Sequence, residues 1–234
     1  MLFGEQPREW SGSALETVQL MEKFIAMASK AAGRKVDEHS NQFQTYAIWA
    51  EGLLRSLDEL EQSIYAAKRY ATIIPKMEMN ELSDEDLLNY NRHVYYDKNT
   101  YIRVFALLDK LGTFLNELLQ LETERMKSRF SYFTVLRNMR MNRVHRELAE
   151  PLGELKEQHN PSLGRLRSRR NTEIHYMNAE LQDDLKISLS RRGVERRVED
   201  FTINMMDLDH AWSMVEQTLN HCFRYACRWL RARN

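Results

Sequence analysis

Apolar positions recur three and four residues apart along most of the chain, the period of a helix that buries one face. In SALETVQLMEKFIAMASKAAG, Val18, Met21, Ile25 and Ala28 fall on one side. Ser13 is placed to cap this helix, Glu16 completes a capping box, and Gly33 stops it. A second helix is predicted over 41–73, with Ile48, Leu53, Leu57, Leu60, Ile64 and Ala67 as its stripe and Pro75 as its end. Ser83 and Asp86 open a third, where Val104, Leu107, Leu108, Leu111, Phe114, Leu115 and Leu118 give the strongest core pattern in the chain. Residues 130–158 read as shorter helices interrupted at Pro151 and Gly153. Asn160-Pro161 reads as a turn, and Ser162 as the cap of a short helix leading to Arg170. The last helix starts at Asp207 and turns Trp212, Val215, Leu219, Phe223, Ala226 and Leu230 inward, with arginines at the end where the helix dipole favours cations. Within 183–203, Ile187 and Leu189 alternate, so a small hairpin turning near Gly193 and a polar loop fit equally. The sum is an all-α fold, a bundle of four or more antiparallel helices. Residues 1–80 form a helical hairpin packed on the bundle, and 81–234 the main helical domain, as one compact unit.

Composition narrows this little. The 234 residues suffice for one sizeable core. Lys plus Arg equals Asp plus Glu at 34 each, so net charge implies no polyanionic partner. The distribution changes that picture: residues 125–170 hold twelve Lys and Arg against four Glu and no Asp. The compensating acid lies mainly in 51–86 and 180–209. A basic surface and a set of arginines paired with acids from other helices both fit this. Two cysteines, Cys222 and Cys227, can build neither a disulfide framework nor a metal cage, and a reducing cytoplasm is their simplest home. No apolar run approaches the roughly 20 residues of a membrane span. The first residues lack a signal-peptide pattern. No glycine-rich phosphate loop, nucleophile elbow or His-x-x-x-His is present, and Asp207-x-x-His210 stands alone, so neither cofactor nor metal is expected. Tyr95, Tyr96, Tyr101 and Phe105 could stack on bases, although their helical spacing suits packing better.

Candidate chemistry concentrates in RSRRNTEIHYMN, Arg167 to Asn178. Arg-x-x-x-x-His occurs three times, as Arg34 with His39, Arg140 with His145, and Arg170 with His175. Only in the third does an asparagine follow the arginine, and Asn171 and His175 are four apart, on one helix face. Arg170 is about 140° round from His175 on an ideal helix. The turn-rich stretch upstream places the motif near a helix N-terminus, where free N–H groups favour an anion. Arg165, Arg167 and Arg169 lie just before it, and Tyr176 just after. The plainer reading is a packed or solvated histidine with Arg170 in a salt bridge, for example to Glu173 of a neighbouring chain.

The hexapeptide RNTEIH resembles the hallmark of the HEPN superfamily of small helical proteins: Arg, a polar residue, about three more residues, then His. RVFALLDKLGTFLNELL followed by RFSYF is similar to the central helix and following turn of bacterial stand-alone HEPN proteins, and the likeness covers about residues 90–230. The resemblance implies a HEPN-like domain over 81–234 and metal-independent RNA cleavage through the 2′-hydroxyl, in a homodimer that brings two motifs into one cleft. Arg170, Asn171 and His175 would be the catalytic set, and Arg165, Arg167, Arg169 and Tyr176 would bind RNA. A toxin or defence role, with an antitoxin protein as partner, is implied too, as is the alternative of a non-catalytic module that binds RNA or a nucleotide or dimerises. A toxin branch of the family carries Tyr two positions after the His. Here that position is Met177, so its regulation is not carried over.

Overall fold

The computed structural model describes residues 9–33, 38–75, 81–178 and 201–233. Among them lie six helices: α1 (Gly12–Ala32), α2 (Glu38–Ile73), α3 (Asp84–Leu119), α4 (Tyr132–Met141), α5 (Arg146–His175) and α6 (Thr202–Arg233), with a 3₁₀ turn at Thr123–Arg125. No strand occurs among the described residues. The fold is the expected all-α bundle. The hairpin considered near Gly193 lies outside the described residues.

Helix–helix contacts fix the topology. α2 and α3 run antiparallel, as His93 against Ala67, Arg103 against Glu59 and Tyr46 against Glu117 show. α5 runs antiparallel to α6, from Glu147–Arg228 at one end to Arg165–Asp207 at the other. α1 returns parallel to α6, with Trp10 stacked on Trp212 and Thr17 bonded to Glu216. The core centres on Phe24, Phe114 and Phe223, from α1, α3 and α6, whose ring centroids are 5.5 Å apart in every pair. Around these rings one apolar cluster takes side chains from all six helices. All seven core positions read for α3, Val104 to Leu118, are buried.

Local signals were decisive in places and misleading in others. Ser83 caps α3 as expected, its hydroxyl accepting from the Asp86 N–H at 3.2 Å. Ser13 does not cap α1: the helix begins at Gly12, and the Ser13 hydroxyl donates to Glu216 of α6 instead. Ile48 is 54 % exposed and leaves the α2 stripe, because the α1–α3 side takes Ala47 and Ala50. Tyr95 is likewise exposed on α3.

The largest correction concerns α5. Pro151 and Pro161 both lie inside one 30-residue helix, and Ser162 is interior rather than a cap. Each proline removes a donor and crowds the carbonyl four residues back, at a cost of about 3 kcal/mol. Leu148, Leu152, Leu155, Leu163 and Leu166 are buried along that helix. At roughly 1.5–3 kcal/mol each, their burial outweighs two breaks.

One close approach sets the α3–α4 spacing. A methyl at Gly112 would stand 2.7 Å from the Tyr132 Cα and 2.9 Å from its nitrogen. Only a residue without Cβ lets the first turn of α4 sit on α3 there.

Candidate functional site

The motif occupies the last two turns of α5, and His175 is the final helical residue. This overturns the expected helix N-terminus. Free carbonyls, not free N–H groups, end this helix, so its dipole offers nothing to an anion. The reason is the continuity of α5 through both prolines.

α5 is gripped from two sides on its way to the motif. The Arg165 guanidinium donates from Nε to Asp207 at 2.8 Å, and Asp207 is buried on α6. One turn on, Arg169 donates to both oxygens of Asp97, buried on α3, and lies 5.0 Å over the Tyr101 ring. Lys98 of α3 then meets Glu173 at 3.1 Å. The Glu173 carboxylate is therefore engaged within the chain.

Arg167 and Arg170 are held differently. Arg170 lies 4.9 Å over Phe105, and Arg167 lies 4.8 Å over Phe133 and 5.8 Å over Phe105. The Arg170 Nε is buried without a hydrogen-bond partner among the described residues. Asp109 of α3 lies within electrostatic reach of both guanidinium groups and accepts from the Tyr132 N–H at 3.2 Å. Burial pushes the Asp109 carboxyl above the usual carboxylate range, and the Tyr132 N–H and the two arginines pull against it. Two aromatic rings and one carboxylate thus fix a pair of cations beside the motif.

Asn171 is half-buried, His175 is exposed, and neither side chain hydrogen-bonds to another described residue. Tyr176 is 84 % exposed just beyond, with Ile174 and Met177 also open. Asn171 and His175 share a face as their spacing requires. Arg170 instead turns to Phe105 on α3, so the straight-line pairing of Arg170 with His175 is not what the helix presents. Of the remaining tyrosines, Tyr101 is buried and Tyr96 stacks on Tyr70 with centroids 5.9 Å apart, so both serve packing.

A family model described as HEPN_Cthe2314-like HEPN matches residues 49–227. The chain belongs to the HEPN superfamily. The match begins inside α2, so HEPN sequence extends further toward the N-terminus than the stretch from residue 90 that the motif and central helix suggested. No characterised protein and no solved structure matches the chain. In this HEPN protein, no group of three or more His, Cys, Asp and Glu side chains converges as a metal site would require, among the described residues. No described helix is long and apolar enough to cross a membrane.

Sequence reading of the HEPN motif missed Phe133, Asp109 and Lys98, and linked Phe105 to packing or base stacking rather than to Arg170. A signal existed for three of these four residues. Lys98, Phe105 and Asp109 follow 98, 102, 105, 109, a single stripe on α3, but which helix would cover that stripe is a tertiary matter.

Proposed function

We propose that the protein is a metal-independent endoribonuclease acting through the motif end of α5. The observation that carries this reading is the exposed His175 imidazole, on one face with Asn171, at the end of the helix whose preceding turns seat Arg170 on Phe105 and Arg167 on Phe133. RNA supplies its own nucleophile. Its 2′-oxygen attacks phosphorus, the 5′-oxygen leaves with a proton, and a 2′,3′-cyclic phosphate and a 5′-hydroxyl result. His175 takes or gives the proton, since an imidazole does both near neutral pH. Arg170 and Arg167 neutralise the phosphorane oxygens, as planar forks suit phosphate. Asn171 orients the sugar or the imidazole. Tyr176 offers a face for base stacking. Arg165 and Arg169, already committed to carboxylates, position α5 more than they meet RNA.

One imidazole cannot serve both proton roles at once. A homodimer that joins two motif ends supplies the second, and Ile174 and Met177 flanking His175 are the apolar surface such a contact would cover. A toxin or defence role with a neutralising antitoxin protein, in the cytoplasm, belongs to this reading.

The test is cleavage of single-stranded RNA in EDTA by the wild-type protein and by His175→Ala. Persistent cutting by the former and at least about a hundredfold loss in the latter support the reading. Equal cutting of 2′-deoxy substrates defeats it.

A second reading is a non-catalytic RNA-binding module. It is favoured by Arg170 facing Phe105 with a buried Nε rather than His175. RNA affinity that falls steeply with salt, without cleavage, would select it.

A further inference from the structure

The second Arg-x-x-x-x-His hexapeptide, RMNRVH, joins α4 to α5 and borders a cleft of about 400 Å³. Met139, Arg140, Arg143, Arg146, Ala149 and Glu150 line it. That size falls within the range of small-molecule sites, about 300–1,000 Å³. Met139 and Ala149 are buried and give an apolar floor, whereas the three arginines stay exposed at the walls. Three arginines against Glu150, with Glu157 also in electrostatic reach of Arg140, keep the cleft net positive.

The local fold gathers these cations. Arg143 and His145 both adopt left-handed backbone, φ 54° and 50°, which turns the chain sharply between the helices. The His145 ring bonds the Tyr225 hydroxyl at 2.7 Å and so leaves the cleft to the arginines. Arg140 lies against α5 at Gly153, where a Cβ would stand 3.3 Å from the guanidinium carbon and press the side chain outward. The N-terminus of α5 begins at this cleft, and its N-cap, His145, supplies no side-chain hydrogen bond. First-turn N–H groups therefore add to the same positive field.

We propose that this cleft binds a terminal phosphate, a phosphomonoester carried by a mononucleotide or by an RNA end. Such a group bears a charge of about −1.5 to −2 at neutral pH and three terminal oxygens, which more than one guanidinium fork can grip at once. An internal phosphodiester bears half that charge. Arg146 and Arg170 are 24 residues apart on α5, about 36 Å at 1.5 Å per residue, so this site is distinct from the motif end. The inference does not rest on the ribonuclease reading.

The experiment is calorimetric titration of the full-length chain with AMP, adenosine, and short RNAs bearing either a 5′-phosphate or a 5′-hydroxyl. AMP binds, adenosine does not, and Arg140→Ala/Arg146→Ala weakens AMP by about tenfold or more. His175→Ala leaves AMP binding unchanged. Preference for 5′-phosphorylated over 5′-hydroxyl RNA assigns the RNA end as the source, and AMP binding with neither RNA affected by the double variant assigns the free nucleotide. The proposal is overturned by a wild-type chain that ignores AMP, by equal binding of adenosine, or by a double variant as tight as wild type. It also falls if 5′-hydroxyl RNA binds as well as the phosphorylated form and loses as much in the double variant. Should the double variant fail to fold, Arg146→Ala alone is read by the same criteria.

Discussion

Four arginines in six positions, 165, 167, 169 and 170, meet four different surroundings, and their substitutions separate accordingly. Asp97 and Asp207 are buried, so removing Arg169 or Arg165 leaves a carboxylate without its cation. Loss of one partner of a buried pair costs about 3–5 kcal/mol. Arg169, the less exposed of the two, is expected near that range, and Arg169→Ala should lower the urea midpoint sharply. Arg167 is exposed and lies over the rings of Phe133 and Phe105, with Asp109 in electrostatic reach. Arg167→Ala should change stability by no more than about 1 kcal/mol, while weakening RNA binding in a filter assay and lowering its salt dependence. His159 offers a further test: it is 4 % exposed, and neither ring nitrogen meets a partner among the described residues. His159→Leu removes two unsatisfied polar atoms and should raise the melting temperature, by the equivalent of about 1 kcal/mol.

Among the elements, α3 was fully legible from sequence and α5 was not. The α3 stripe runs over four turns without interruption, and nothing local competes with it. In α5 the strongest local signals, two prolines and an Asn-Pro pair, pointed to breaks. Burial of leucines at 148, 152, 155, 163 and 166 overrode them, and that depends on α6 and α3 being present. The same override moved the motif from the start of a helix to its end. Motif residues could be named from spacing, whereas the seating of Arg170 and Arg167 on Phe105 and Phe133, with Asp109 nearby, could not, because no local pattern tells which helix faces which. Pro161 is exposed and contributes a missing donor rather than packing. Pro161→Ala should therefore stabilise α5 by about 1–3 kcal/mol, seen as a higher denaturation midpoint and slower amide exchange in its neighbours.

The whole molecule should lose stability in mild acid. His93, His159, His145 and His221 are all held below the ordinary imidazole value, chiefly by burial. The unfolded chain then binds more protons than the folded one as pH falls through about 6.5. Stability is therefore complete above that pH and declines below it, and denaturation at pH 7.5 and 5.5 should show the drop. Asp109, raised by burial, acts in the opposite sense, but only lower, toward the carboxylate range. The thiols take no part, since burial pushes Cys222 and Cys227 up, and Cys222 should resist alkylating reagents until the chain unfolds.

The contact between Gly112 and the backbone of Tyr132 reaches beyond this chain. In a chimera spliced from this protein and a relative, a junction placed between those two positions would marry one parent's helix surface to the other's turn, where a single extra carbon cannot fit. The two segments must be inherited together, and a library of such recombinants should yield soluble protein only where both come from one parent or where the incoming residue is also glycine.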